Sequence, residues 1–351
     1  MKIRDMLLSD ESLFRNEEIF NPDHIPEEFS YRDNQLRALA NCAKPALRGG
    51  RPASAFLYGK PATGKTTSVR LVIDEIEKSS DRVVCVHINS QIYSTAYKIF
   101  SEIHKKIFGY LPADTGIPLT RIYDKIFTRL GKHKKNLIVV LDDVNFLFLN
   151  SSANDVFYQI LRAHEVHPVH TAVWTISTTN DNHRLDDKVR SMFRYETIRY
   201  EPYNPKEIFS ILKNRVELGL CSEVMSQALI RKITAEAQDL RHGIELIRKS
   251  VLLAERDAKK RISGDHVKDV IEQLKPSEIK KQKLSKDDKL VLDLLKKGEQ
   301  ESGKLFELVI KRKKIGYTTF HRTLKKLESM KRIKVEERRK KRGKTSAISL
   351  I

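Results

Sequence analysis

Cysteine is scarce in this chain of 351 residues: Cys42, Cys85 and Cys221 are scattered and odd in number. No C-x-x-C pair occurs, so neither a disulfide framework nor a cysteine-based zinc site is expected, and a reducing cytoplasm fits. Long apolar runs are missing too. None approaches the roughly 20 residues that a membrane-spanning helix needs, and the polar N-terminal residues carry no signal-peptide pattern, so no membrane partner is expected. Acidic residues are in deficit, 46 Asp and Glu against 66 Lys and Arg, which leaves a formal net charge of +20 and points to an acidic polymer or surface as partner. The excess is uneven: from Pro276 to Ile351, 24 Lys and Arg face 10 Asp and Glu, so +14 of the charge lies in the last 76 residues.

What the chain does have is a complete G-x-x-x-x-G-K-[ST] loop, Gly59-Lys60-Pro61-Ala62-Thr63-Gly64-Lys65-Thr66, followed by Thr67. Before it, Ala55-Phe56-Leu57-Tyr58 reads as a short buried strand. After it, Val69, Val72, Ile73 and Ile76 recur at helical spacing. Strand, glycine loop and helix are the context in which backbone N–H groups and a helix N-terminus face an anion. Lys65 supplies a point charge for the β- and γ-phosphates of ATP or ADP, and the Thr66 hydroxyl is a ligand for Mg²⁺. A glycine turn that merely contains a lysine would not place all four fixed positions between a strand and a helix. A second apolar run, Leu137 to Leu141, ends in Asp142-Asp143. Acidic residues there fall at the C-terminal end of a strand, where open α/β sheets place ligands. Asp142 is the expected Mg²⁺ ligand and Asp143 the group that polarises an attacking water.

Strands at Val83–Ile88, 137–141 and Thr171–Ser177 alternate with helices at 31–47, 67–77, 92–107, 119–130 and 154–164, which predicts a parallel sheet with helical crossovers. From Pro205 the pattern turns all-helical, with helices expected at 205–218, 222–237, 241–258 and 263–273. A charged linker follows. Helices at 287–297, 304–310 and 318–330, then strands at 333–338 and 346–351 around a basic tip, have the layout of a winged helix-turn-helix. The expected units are an α/β nucleotide-binding domain over 1–202, an all-α lid over 203–275, a linker over 276–284 and a winged-helix DNA-binding domain over 285–351. Phe320, Leu324 and Leu327 form the apolar stripe of the third helix in that last unit. The opposite side carries Thr318, Thr319, His321, Arg322 and Lys325, positioned to read base edges in a major groove; Arg322 suits guanine through its bidentate fork. The tip residues Arg339, Lys340, Lys341, Arg342 and Lys344 are placed to bind phosphates and set register. A solvated basic face is the plainer meaning of such a run, but layout, charge and position coincide here.

In the order of these parts the chain resembles the archaeal Orc/Cdc-type origin-recognition replication initiators, which are AAA+ ATPases with a C-terminal winged helix. The segment Asn21-Pro22-Asp23-His24-Ile25-Pro26-Glu27-Glu28-Phe29, with Arg32-Asp33-Asn34-Gln35-Leu36, is similar to the family's N-terminal stretch. The resemblance implies that Ile25 and Pro26 pack by the adenine. It implies that Asn180 is the sensor-1 residue, which orients the attacking water or touches the γ-phosphate. Asp239-Leu240-Arg241 resembles the family's G-D-x-R stretch, so Arg241 would be sensor 2, reaching the phosphates from the lid. A trans-acting arginine finger is implied near Leu185-Asp186-Asp187; Arg190 is the choice, with Arg194 close by. The helical stretch 91–119 is where relatives carry an additional DNA-touching element, with Lys105 and Lys106 as candidates. Two departures stand out: Asp143 where the family usually has Glu, one methylene shorter, and Gln238 where it has Gly.

These readings together imply an ATP-dependent replication initiator. Nucleotide state would set the placing of the winged helix on double-stranded origin DNA, slow hydrolysis would act as a switch, and the replicative helicase and other initiator copies would be partners. A nucleotide-sensing transcription regulator is the alternative, distinguished by binding at promoters rather than replication starts. A processive remodelling ATPase would need fast DNA-stimulated turnover, which the short Asp143 argues against. Lys65→Ala is predicted to abolish nucleotide binding with the fold intact; unchanged ATP affinity by fluorescence titration would remove the phosphate-loop assignment.

Overall fold

The computed structural model describes residues 12–112, 116–148, 152–180, 184–274, 285–296, 298, 300–313, 316–329, 332–340 and 343–350. The side chains of Thr318, Lys325, Arg339, Lys340 and Lys344, and the whole of Lys341, Arg342 and the expected linker 276–284, lie outside that description. The chain divides into two compact units, Met1–Ile271 and Glu272–Ile351.

In the first unit, helix α1 (Asp33–Leu47) precedes strand β1 (Ser54–Gly59) and helix α2 (Lys65–Ser79). Then come β2 (Val83–Asn89), α3 (Ala96–Phe108), α4 (Leu119–Lys132), β3 (Asn136–Asp142), the single turn α5 (Val144–Leu147), α6 (Ser152–Leu161), β4 (Thr171–Ser177), α7 (Asp187–Met192) and β5 (Tyr195–Tyr200). The five strands form one sheet in the order β2-β3-β4-β1-β5, every neighbouring pair parallel. Alternation along β3 builds two cores. Leu137, Val139 and Leu141 face α3, α4 and α6, among Ile99, Phe100, Ile126 and Phe157. Ile138 and Val140 face α1 and α2, among Leu39, Val69 and Ile73. Trp174 lies fully buried in β4 on this second side and donates its indole N–H to Ala53 O at 3.0 Å, so its polar atom is satisfied within the core. The sheet thus has helices on both faces, as continuous apolar strands require.

Strand β5 was not expected from the sequence. Its burial alternates, with Ile198 and Tyr200 inward and Glu196, Thr197 and Arg199 outward, and it runs along the sheet edge beside β1. Helix α3 starts at Ala96, not Ile92, because Thr95 caps it through its hydroxyl to the Lys98 amide.

The lid follows without a break: α8 (Pro205–Gly219), α9 (Gln227–Glu236), α10 (Leu240–Arg256) and α11 (Gly264–Leu274). A capping box of Asn204 and Glu207 with Pro205 at the first turn starts α8. Asp239 caps α10 through the His242 amide, and Ser263 accepts from the His266 amide at 3.3 Å. Helix α9 begins at Gln227, five residues later than the apolar spacing predicted. The N-terminal stretch is not irregular throughout. Glu17–Phe20 form a 3-10 turn whose Phe20 is buried, and Glu17 pairs with Arg248 of α10 at 2.8 Å.

The second unit contains α12 (Lys286–Leu295), the two-residue strand β6 (Gln300–Glu301), α13 (Ser302–Arg312), α14 (Tyr317–Ser329), β7 (Ile333–Lys340) and β8 (Gly343–Leu350). The strands make an antiparallel sheet in the order β6-β8-β7, and Phe320, Leu324 and Leu327 of α14 join Val291, Leu305, Val309 and Ile348 in its core. Three helices and a hairpin with a short third strand are the winged-helix arrangement. The hairpin strands extend further than expected, pairing Arg339 with Lys344 and Lys340 with Gly343, so the basic tip is largely strand. No helix among the described residues is long and apolar enough to cross a membrane.

Candidate nucleotide site and nucleic-acid interface

At the C-terminal edge of the sheet, β1 runs into the loop 59–64, and Gly64 starts α2 in the left-handed region at φ +89°. The loop turns its carbonyls inward onto its own lysine. Lys65 Nζ donates to Gly59 O and Lys60 O, both at 2.7 Å, and Thr63 Oγ1 donates to Lys60 O at 2.8 Å. The amides that open α2 have no acceptor within their own helix, which is the condition for anion capture. Lys65 is buried, and desolvation pushes its ammonium down to about 8; Asp142 and Asp143 oppose that shift and the Arg241 charge adds to it.

Asp142 closes β3 beside this loop. Its Oδ2 accepts from Thr66 Oγ1 at 2.9 Å and lies 3.1 Å from His87 Nε2, while its Oδ1 accepts from the Asp143 amide at 2.9 Å. Burial alone would raise this carboxyl; the His87, Thr66 and Asp143 hydrogen bonds outweigh it and hold it below the ordinary carboxylate range. Asp143 sits in the left-handed region at φ 52° and is pushed the other way, raised by burial and by the Asp142 charge against the pull of Lys65 and Arg241. An ionised carboxylate beside a hydroxyl is a pair of hard oxygen donors, which suits Mg²⁺. With the buried Lys65 ammonium at the loop and this oxygen pair beside it, the residues present fit a Mg²⁺-nucleotide.

The other expected residues take these places. Asn180 is exposed, three residues past the end of β4, the strand that lies between β3 and β1. Arg241 is exposed in the first turn of α10, close enough for its charge to act on both Lys65 and Asp143. Ile25 and Pro26 are half-buried in a stretch held at one end by an Asp23–Arg70 contact of 3.4 Å to α2 and at the other by Phe29 against Gly64. Arg190 is exposed on α7 and hydrogen-bonded to Asp187 of its own helix. Lys106 is paired with Glu77 at 2.8 Å.

Two residues given no role from the sequence belong to this site. His87 stands on the face of β2 that carries Asn89, the partner of Asp142 in register; a lone imidazole in an apolar strand beside an acidic one was the available signal. Arg32 is buried and donates to the loop carbonyl of Thr63 at 2.9 Å; nothing in its sequence neighbourhood announces that reach of 31 residues.

In the second unit, Arg322 is exposed on α14 and Thr319 half-buried. His321 is half-buried as well, its ring 4.4 Å from that of Tyr317 and its Nε2 without a partner, so it is set back among rings rather than projecting freely.

A parallel sheet with a phosphate loop, an acidic strand end and a four-helix lid bearing an arginine defines an AAA+ ATPase. Residues 28–173 match the AAA ATPase domain family and 209–272 the Cdc6 AAA+ ATPase-type lid domain. The chain is 40% identical to ORC1-type DNA replication protein 2 of Methanothermobacter thermautotrophicus, over 94% of this chain and 90% of that one. It is 35% identical to the protein of the same name from Methanosarcina mazei, over 98% and 95%. The fold superimposes on the Aeropyrum pernix ORC1 protein solved in complex with DNA, with a TM-score of 0.71 and 25% identity over 97% of this chain and 94% of that one. It also matches Cdc6p from Pyrobaculum aerophilum, with a TM-score of 0.66 and 21% identity over the same shares. The chain belongs to the family of ORC1-type DNA replication proteins.

A methyl group on Gly64 would lie 2.8 Å from Phe29 Cζ and 2.9 Å from the Tyr203 hydroxyl, whereas Gly109, at a similar φ of +84°, has open space. Gly109→Ala should therefore cost only backbone strain, about 1 kcal/mol, and Gly64→Ala about 3 kcal/mol with loss of nucleotide retention. Thermal melts and nucleotide titrations of the two variants check this; equal effects would contradict it.

Proposed function

We propose that this protein is an ATP-dependent DNA-replication initiator that binds origin DNA through its winged helix and AAA+ domain. The observation that carries the reading is the joining, in one chain of this family, of a preformed Mg²⁺-nucleotide site to a strongly basic winged-helix unit. Thr66 and Asp142 would hold Mg²⁺, and the ion neutralises phosphate charge when bound. Lys65 and the backbone N–H groups of residues 59–67 other than Pro61, which has none, grip the phosphates, Ile25 and Pro26 pack by the adenine, and Arg241 reaches in from the lid. Asn180 orients the attacking water and Asp143 polarises it. Arg190 of a neighbouring copy is the candidate trans cation. Its Asp187 partner must be given up for that, and Lys106 must leave Glu77 to touch DNA, which leaves Lys105 the better candidate in that helix.

The domain boundaries expected from the sequence remain the proposed ones, 1–202, 203–275 and 285–351, in a cytoplasmic protein. Hydrolysis serves as a slow switch rather than a motor, for origin marking and helicase loading. Nucleotide state can change DNA-bound geometry only through a difference in affinity between the two states. The short side chain of Asp143 agrees with slow turnover, because its carboxyl stops one methylene short of where a Glu would place it.

Genome-wide occupancy in the host tests the reading: sharp peaks at replication start sites are expected, and peaks spread over promoters with none at starts would favour a transcription regulator. Within the winged unit, Arg322→Ala should relax sequence preference, at about 1–3 kcal/mol of discrimination. Arg342→Ala should weaken all DNA equally and reduce the salt slope by about 1; identical effects in binding assays would contradict that division. Asp143→Glu should raise kcat for ATP hydrolysis about tenfold with ATP affinity unchanged, since one added methylene brings the carboxylate to the water; a lower kcat would overturn the role given to Asp143.

A further inference from the structure

The phosphate loop is built against the chain segment that leads into the lid. Gly59 pairs with Tyr200 at the end of β5, and a Cβ on Gly59 would lie 2.2 Å from Tyr200 O. Gly64, at the other end of the loop, lies against the Tyr203 hydroxyl, and Asn204 then caps the first lid helix. Arg32 fastens the two together. Its Nε donates to Thr63 O of the loop at 2.9 Å, its Nη2 to Glu201 O at 2.8 Å and its Nη1 to Tyr31 O at 2.8 Å. The guanidinium lies 3.8 Å from the centre of the Tyr203 ring. All this happens at a buried position, where an unpaired guanidinium would be costly.

We propose that Arg32 is a positioning residue that couples the phosphate loop to the hinge of the lid. A planar fork holding Thr63 O and Glu201 O fixes one carbonyl relative to the other. A shift of the loop on binding phosphate therefore pulls residues 201–203, and with them the start of α8. The coupling rests on the nucleotide reading of the site, and it makes Arg32 part of the path by which nucleotide state reaches the lid, without requiring it to touch the nucleotide.

The test is hydrogen–deuterium exchange of the full-length chain over 198–206, with and without ADP and Mg²⁺, alongside ADP affinity by titration. In the wild type, ADP should slow exchange over that segment about tenfold. Arg32→Lys keeps the charge but loses the fork. It should still bind ADP within about tenfold of wild type, with the slowing at 198–206 reduced below about twofold. An undiminished response in ADP-bound Arg32→Lys overturns the coupling, as does a wild type that binds ADP with no response in the segment. Should Arg32→Lys fail to fold, Arg32→Gln decides, since its single neutral amide cannot span both Thr63 O and Glu201 O. A weakened response is expected, and an unchanged one overturns the proposal. Absence of ADP binding by the wild type would be read in the titration, and would remove the nucleotide reading and the coupling together.

Discussion

The constraint on which the rest of this protein depends is that the backbone amides opening α2 have no carbonyl within their own helix to bond and so are available to an anion. A buried loop ordinarily consumes its own polar groups. Here the carbonyls are tied off by cations: Gly59 O and Lys60 O by Lys65, and Thr63 O by Arg32. Glycine at both ends permits the turn and the close approach of Tyr200 and Tyr203. The sheet order then matters, because β3 and its acidic end stand two strands from β1, with β4 between them.

Electrostatics divides the acidic pair. Asp142 and Asp143 are neighbours in the chain, yet one is held ionised and the other is raised. The difference lies in their partners. Asp142 collects three hydrogen bonds from donors on β2, α2 and its own turn, whereas Asp143 faces the Asp142 charge with only the more distant Lys65 and Arg241 to offset it. Two adjacent carboxyls thus answer to different surroundings. Asp143 also takes the left-handed backbone conformation, with φ 52°.

The units of the chain were legible to different depths. The phosphate loop, the acidic strand and the buried strands β2, β3 and β4 were readable because each is a local pattern, a fixed motif or a continuous apolar run. Strand β5 was not, because Tyr195-Glu196-Thr197-Ile198-Arg199-Tyr200, though rich in strand-forming residues, is an edge segment broken by charges and lacks the continuous apolar run of the inner strands. The strand character of the basic hairpin tip was missed because pairing with the neighbouring strand decided it.

The amino-acid sequence by itself determined the groups this protein can bring to a ligand: a phosphate loop, an acidic strand end, a lid arginine and a basic winged unit, all carried by residue type and spacing. Only the tertiary structure decided which groups serve them. His87 reaches Asp142 across 55 positions, Arg32 reaches Thr63 across 31 and Glu201 across 169, and no local pattern encodes such distances. Motifs lie within one turn or strand and can be read in line, whereas the side chains that orient them are chosen by which strands and loops the folded sheet brings together.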